Sequence, residues 1–296
     1  MNSFRTHDDA IPEPTEREFH QLRTLVLEQA GIHLSDAKKA LVYGRLVRRL
    51  RELGLATFGD YYHRVLASSE ELTLFLDRIT TNETHFFREP HHFAHLADNF
   101  LPPLMAAAAA GQRPKTVRVW SAGCSTGEEP YSIAMALKDR LPSASWTIDI
   151  LATDLSTRVL DVARSATWPA TRAGEIPAPF LQQFMLRGIG SREGWIRACP
   201  QLRACVRVAR LNLNDDAYPA EAPFDLIFCR NVLIYFPPAG RQRVLARLLS
   251  RLAPGGQLFV GHAESVQGLP ERVRCVCPTV YARASEATDQ PARRTA

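Results

Sequence analysis

From Glu16 to about Arg78, apolar residues such as Phe19, Leu22, Val26, Leu41, Leu46, Leu50, Tyr61 and Val65 recur largely three and four positions apart within each segment. That spacing stacks them on one face of a helix and predicts a small all-helical domain over residues 16–88. Past Gly111 the rhythm changes to short, β-branched runs, at Thr116–Trp120, Thr147–Ala152, Val206–Leu211, Phe224–Cys229, Gln257–Gly261 and Thr279–Arg283. Helical patterns fall between them at Glu129–Leu141, Ser156–Ser165 and Ala239–Leu252, the last closed by a Pro254-Gly255-Gly256 turn. Strands alternating with helices predict a doubly wound α/β domain over residues 112–283. One stretch, about 170–204, lacks a long helical pattern; Gly188, Gly190 and Gly194 punctuate segments such as Trp195–Cys199, which reads as an insertion of two or three antiparallel strands. Residues 89–111 read as a linker, and the polar ends, 1–15 and 284–296, as disordered.

The remaining composition narrows the class without naming a reaction. A chain of 296 residues with 46% hydrophobic content supports one large and one small packed domain. The net charge of +5 is modest for this length and suggests an acidic partner surface. It is carried most visibly by Lys38–Arg51, where Lys38, Lys39, Arg45, Arg48, Arg49 and Arg51 share a helix with Leu41, Val42, Leu46 and Leu50. The six cysteines form no CxxC pair and no zinc-finger spacing, and read as reduced thiols of the cytosol. The N-terminus, MNSFRTHDDAIPEPTERE, has no apolar core of a signal peptide, and the longest apolar run, Leu104–Ala110, is far too short to span a bilayer. The expectation is a cytoplasmic protein without membrane insertion.

The strongest local signal is VRVWSAGCSTGEEPYS, a strand, a turn of small residues and a helix opening at Glu128-Glu129-Pro130. Small residues at Ser121, Ala122, Gly123, Ser125 and Gly127 admit a ligand to the backbone, and the helix start offers unpaired amides to an anionic group such as a carboxylate. The turn is neither a Walker loop nor GxGxxG, so phosphate is not implied. It serves equally as packing between helix and strand. Asp154, ending the next strand, sits where a carboxylate takes both ribose hydroxyls of a nucleoside, or where it caps the following helix. His91, His92 and His95 lack a completing carboxylate or thiolate and read as linker surface, with no metal.

Taken together, TTNETHFFREPHHF, VWSAGCSTGEEPYSIA, FDLIFCRNVLIYF and GHAES resemble the CheR family of chemotaxis receptor methyltransferases, over almost the whole chain. The resemblance implies a Rossmann-like S-adenosylmethionine-dependent methyltransferase domain with a β insertion behind an all-α domain, S-adenosylhomocysteine as the product, and glutamate side chains of methyl-accepting chemotaxis receptors as the substrate. It places Asn82, Thr84 and Arg88 at the cofactor, Glu129 at its methionine amino group, Asp154 at its ribose, Asn212 and Leu213 at its adenine, and Arg230 and Asn231 in the same crevice. Arg88 and Tyr235 are expected to position the reacting carboxylate. Asn82 and Thr84 also suit helix capping, Arg88 an ion pair with Glu83 or Glu89, and Tyr235 a place in the core. A role for His262 and Glu264 in the closing motif is not apparent.

By the same resemblance, Gly188, Gly190, Gly194 and Arg197 of the insertion bind a peptide at the receptor's C-terminus, through strand addition. Arg45, Arg48, Arg49 and Arg51 suit docking on an acidic helical bundle, or a solvated helix face. Methylation of nucleic acid or a small molecule is the rival activity, though no Asn-Pro-Pro-Tyr-like motif follows Phe224–Cys229; a non-enzymatic receptor adaptor is the second rival.

Overall fold

The computed structural model describes residues 11–141, 145–218, 222–264, 266 and 273–283; the disordered tail expected over 284–296, and residues 1–10 of the N-terminus, lie outside them. The chain divides into two compact units, one ending at Thr81 and the other starting at Asn82.

The first unit is helical: α1 (Glu16–Ala30), α2 (Lys39–Leu53), α3 (Phe58–Leu66) and α4 (Ser69–Ile79). A capping box starts α1, with Thr15 Oγ1 accepting from Glu18 N and Thr15 N donating to Glu18 Oε2 at 2.8 Å. Phe19, Leu22, Val26, Leu46, Leu50, Tyr61 and Val65 are buried as their spacing predicts, while Val42 rather than Leu41 takes the core position at the start of α2.

The segment expected to be a linker is helical instead. It forms α5 (Pro90–His95), one wide turn (Leu96–Phe100) and α6 (Leu101–Ala109). Phe93, Leu96, Phe100, Leu101, Leu104 and Ala108 are buried at helical spacing in the core of the second unit. Pro102 and Pro103, which look like breakers in the sequence, fall in the first turn of α6, where the missing donors are not needed. Residues 82–88 also belong to this second unit rather than to the helical domain.

The second unit is built on β1 (Thr116–Ala122), β2 (Thr147–Asp154), β6 (Val206–Arg210), β7 (Phe224–Cys229), β8 (Leu252–Val260), β9 (Val273–Cys277) and β10 (Val280–Arg283), in the order β6-β2-β1-β7-β8-β10-β9. The first five run parallel, and β10 is antiparallel to both β8 and β9. β8 runs through the Pro254-Gly255-Gly256 segment read as a turn, with a register shift opposite Phe224–Leu226 absorbing the extra residues. β9, largely exposed and flanking β10, is not foreseen by the sequence pattern. Side chains alternate across the sheet: Val117, Val119, Leu226, Phe228 and Phe259 pack with α6 and α7 (Glu128–Arg140) on one face. Trp120, Ile227, Leu258 and Val260 pack against Val244, Leu245, Leu248 and Leu249 of α11 (Pro238–Ser250) on the other. α8 (Thr157–Ser165) links β2 to the insertion.

The insertion is a three-stranded antiparallel sheet, β3 (Thr167–Pro169), β5 (Trp195–Ala198) and β4 (Met185–Arg187), with β5 central. It also holds a short helix, α9 (Ala178–Phe184), which the glycine-rich reading of this stretch did not include. A last short helix, α10 (Pro200–Arg203), leads into β6.

Candidate active site

The chain steps outward from β1 through β2 to β6 on one side, and then returns to lay β7 and β8 on the other, so the strand order reverses between β1 and β7. Ligands of doubly wound sheets bind at such a reversal, beyond the carboxyl ends of the strands. All five parallel strands deliver candidate residues to that one edge: the Gly123 turn after β1, Asp154 on β2, Asn212 and Leu213 after β6, Arg230 and Asn231 after β7, and the Gly261 turn after β8.

The turn after β1 is held by its neighbours. Thr153 O accepts from Gly123 N at 2.8 Å and Cys124 N at 2.9 Å. Gly123 has φ +91, and a Cβ there would lie 2.4 Å from Val232 Cγ2, so only glycine lets the turn press against the loop after β7. Ser125, at φ +49, donates its N–H to Asp154 Oδ2 at 2.9 Å, while Asp154 Oδ1 accepts from Ser156 N at 3.0 Å. Asp154 thus organises the turn and the approach to α8, and remains half-buried at the crevice edge. Four non-glycine residues around the crevice, Phe87, Glu89, Ser125 and Asn231, have left-handed backbone, a concentration of strain typical of functional sites.

At the start of α7 two acidic residues part company. Glu129 faces the reversal point, its Oε1 accepting from Ser121 Oγ at 2.6 Å, its side chain 13% exposed and its Oε2 3.6 Å from Arg230 Nε. Burial pushes its carboxyl pKa up, and Glu89 adds to the shift against the opposing charge of Arg230. Arg230 is itself 2% exposed, lies 3.5 Å from Glu89 Oε2 and donates to Arg88 O. Arg230 is therefore a buried cation among carboxylates, rather than a group open to ligand. Glu128 points away, accepting from Thr126 Oγ1 at 2.6 Å and from Arg172 Nη2 at 2.8 Å.

Arg172 is a residue the sequence reading missed. It also donates to Thr84 O and pairs with Glu175 at 2.9 Å; Glu175 in turn accepts from Phe86 N at 2.9 Å. Residues 82–88 are pinned further by Ser125 Oγ donating to Asn82 O at 2.8 Å and Phe87 N donating to Ser132 Oγ at 3.0 Å. The Phe86 ring meets Trp168 edge-on at 5.0 Å, and the Phe87 ring stacks on Phe180 at 5.2 Å. So Asn82, Thr84 and Arg88 ride on a segment anchored to α7 and to the insertion, and no helix begins at His85 for Asn82 or Thr84 to cap. Arg88 is half-buried and donates to Glu83 O at 3.3 Å, not to a neighbouring carboxylate.

Asn212 Oδ1 accepts from Asn214 N at 3.0 Å, which shapes the turn beside the buried Leu213. Tyr235, in the single helical turn Leu233–Tyr235 of the loop after β7, is half-buried and belongs to neither sheet core. His92 and His95 are core residues rather than linker surface: both rings pack edge-on against Phe259, and His92 is pushed down to about 3 by burial and by the charge of Arg230. A carboxylate does lie beside them, for donor atoms of Glu89, His91 and His92 fall within 4.8 Å of one another. Glu89 Oε2 lies 3.3 Å from His92 Nδ1 and 3.5 Å from Arg230 Nε, so the carboxylate is shared between the trio and the buried guanidinium.

In the insertion, a Cβ at Gly188 would sit 1.9 Å from Arg192 O, and Gly190 and Gly194 have φ +56 and +82. Arg197 lies on the central strand and donates to Ser165 O at 3.2 Å. Leu186 and Trp195 are exposed, and Ile189 is 84% exposed. In the helical unit the basic stripe is partly consumed: Arg49 makes a two-pronged pair with Glu71, at 2.9 and 2.6 Å, and Arg45 donates to Ile79 O and Thr81 Oγ1. Arg49 is a structural cation, because Glu71 is 4% exposed and needs it, so a docking role for Arg49 is withdrawn. Arg48, exposed although paired with Glu52, and Arg51 keep outward charge.

The donor set suits S-adenosylmethionine: a buried carboxylate, Glu129, for an ammonium, a strand-end carboxylate, Asp154, for a ribose, an apolar Leu213 beside Asn212 for a flat base, and a glycine turn that admits backbone approach. Comparison with known proteins agrees. Residues 82–282 match the CheR methyltransferase SAM-binding domain, and residues 17–80 its all-alpha domain. The chain is 41% identical to chemotaxis protein methyltransferase 2 of Pseudomonas aeruginosa, covering 91% of this chain and 94% of that one. It is 43% identical to the chemotaxis protein methyltransferase of Escherichia coli, over 89% and 90% respectively. Among solved structures, the glycopeptide N-methyltransferase MtfA complexed with S-adenosyl-L-homocysteine is similar at 16% identity and a TM-score of 0.32, covering 61% of this chain and 59% of that one, too loose a likeness to transfer any residue's role. With both of its units matched in order, and relatives aligned over about nine tenths of the chain, the chain belongs to the CheR methyltransferase family.

Proposed function

We propose that this protein transfers the methyl group of S-adenosylmethionine to glutamate side-chain carboxylates of chemotaxis receptors, yielding glutamyl methyl esters and S-adenosylhomocysteine in the cytoplasm. The observation that carries the reading is the buried Glu129–Arg230–Glu89 cluster at the strand reversal, which keeps one carboxylate aimed at the place an amino-acid ammonium would take. Around it, Asp154 takes the ribose, Asn212 and Leu213 the adenine, and Asn82 and Thr84 close the near side, with Arg230 and Asn231 shaping the floor.

Once bound, the cofactor supplies an already activated methyl group. A glutamate carboxylate is ionised at neutral pH, so this chain needs no general base. Its residues contribute alignment and exclusion of water: Arg88 offers a guanidinium to the carboxylate, and Tyr235 completes the wall. Among the described residues no helix is long and apolar enough to cross a membrane, so the receptors provide the membrane anchorage in this scheme. Arg48 and Arg51 are left to face an acidic helical bundle. The free edge of β4, beside the exposed Leu186 and Ile189, suits an extended C-terminal peptide adding as a fourth strand.

The test is transfer of radiolabelled methyl from S-adenosylmethionine to receptor-enriched membranes, followed by mild base. Label on receptor-sized protein that leaves as methanol is the expected result. Base-stable label, or label in nucleic acid, moves the activity to another acceptor; cofactor binding without transfer makes the protein an adaptor.

A further inference from the structure

Glu264 follows β8 and is 3% exposed, yet none of the ion pairs among the described residues involves it. Three backbone amides converge on its carboxylate instead. Oε2 accepts from Gly261 N at 2.5 Å and Asn231 N at 2.9 Å, and Oε1 accepts from Ile234 N at 3.2 Å. Two of these donors lie in the loop after β7, which carries Arg230, Asn231 and Tyr235. Asn231 has φ +59, a backbone conformation that L side chains rarely adopt and that persists only where the surroundings enforce it. Gly261 completes the fit: a Cβ there would lie 2.7 Å from Asn231 Nδ2 and 2.8 Å from both Asn231 N and Glu264 Oε2. The same turn reaches the other side of the crevice, because His262 N donates to Glu89 Oε1 at 3.0 Å, and Glu89 faces Arg230.

We infer that Glu264 is a positioning residue of the methyl-transfer site, a buried carboxylate clip that fixes the loop after β7 in the shape that seats Arg230 between Glu89 and Glu129 and presents Asn231 and Tyr235 to the crevice. The role needs acceptors only. Glutamine has the same shape, but one of its two terminal atoms is a donor, so in either orientation at least one backbone N–H faces an N–H₂ group. The clip acts on the loop, not on substrate, and so its loss appears first in ligand affinity and in the protection of the loop amides.

The inference rests on the reading that this crevice binds S-adenosylmethionine, and the experiment separates the two. In the full-length wild type, hydrogen exchange of the Asn231, Ile234 and Gly261 amides is measured without ligand; slow exchange is expected, and exchange at the rate of an open loop overturns the clip, whatever the crevice binds. S-adenosylhomocysteine affinity is then measured by calorimetry for Glu264→Gln and for Leu104→Ala, a core variant on α6 that lowers stability away from the loop. At a temperature where circular dichroism shows both folded, Glu264→Gln should bind about tenfold more weakly, with Asn231 and Ile234 deprotected, and Leu104→Ala should bind as wild type. Equal loss in both variants, or wild-type affinity in Glu264→Gln, overturns the positioning role. Should Glu264→Gln not fold, Glu264→Asp takes its place: with its acceptors kept but its reach shortened, it is expected to bind more weakly, and wild-type affinity overturns the role. A wild type that fails to bind S-adenosylhomocysteine refutes the cofactor reading and leaves the exchange result to judge the clip.

Discussion

Replacing Gly123 by alanine tests whether the turn after β1 and the loop after β7 are truly pressed together. Two costs add. An L residue at φ +91 is strained, by roughly 1–2 kcal/mol on the scale of left-handed backbone. The new Cβ would also stand 2.4 Å from Val232 Cγ2, far inside the roughly 3.5–4.0 Å of a carbon–carbon contact, and overpacking of this kind costs about 1–3 kcal/mol. Gly123→Ala should therefore lose about 2–5 kcal/mol. Trimming the neighbour separates the parts: Val232→Ala removes Cγ2 and Cγ1 and leaves Cβ at an ordinary 3.5 Å, so the double variant should recover the overlap while keeping the backbone strain.

The assay follows from the sequence, because all four tryptophans, Trp120, Trp146, Trp168 and Trp195, lie in the second unit. Urea unfolding followed by tryptophan fluorescence thus reports the unit that carries the substitution, without interference from the helical one. A wild-type midpoint for Gly123→Ala would refute the close packing. A double variant no more stable than Gly123→Ala would show that the backbone, not Val232, sets the requirement.

Three further outcomes are expected. Because burial holds the Glu129 carboxyl above the ordinary carboxylate range, protonation on acidification begins earlier than for an exposed glutamate, removing the negative charge an ammonium needs; S-adenosylhomocysteine affinity should fall between neutrality and that range, with this dependence absent in Glu129→Gln by calorimetry. The stability contribution of the same group has the opposite sign, since a raised folded pKa makes the ionised form unfavourable in the fold, so its contribution grows as pH falls through that value. Arg172→Ala leaves the buried Glu128 without its cation and releases Thr84 O, loosening one anchor of residues 82–88, which should cost about 2–3 kcal/mol by urea unfolding and weaken S-adenosylhomocysteine binding. Arg49→Ala strands Glu71 and should cost the helical unit about 3 kcal/mol, seen as an early loss of helical circular dichroism.

What could be read from the sequence follows from the range of the interactions concerned. The helices of the first unit and the strands β1, β2, β6 and β7 carry their pattern locally, so the sequence places them as elements, and most of the helical core positions with them. The turn after β1 was legible for the same reason, since small residues between a strand and a helix leave few conformations. The 89–111 segment, expected as a linker, is helical, and its Pro102 and Pro103 are tolerated because they fall in the first turn of α6. Arg49 was misread because exposure was inferred from charge, while its partner Glu71 sits 22 positions away on another helix.

The residues that hold the site together were the least legible, and the reason is general. Arg172 reaches Glu128 across 44 positions and Thr84 across 88, and Glu264 reaches Asn231 across 33. Neither carries a local pattern, because each satisfies backbone groups or carboxylates supplied by other strands and loops. A motif can mark such a residue, as GHAES marks Glu264, without disclosing its task, since the task exists only after the sheet has brought β7 and β8 side by side. Asp154 and Glu129, the carboxylates proposed to face the cofactor, sit at a strand end and a helix start; the strand end already suggests Asp154, whereas Glu129 is suggested by the family resemblance. The supporting groups sit where two such ends meet, so their chemistry is decided by the fold and not by the neighbouring sequence.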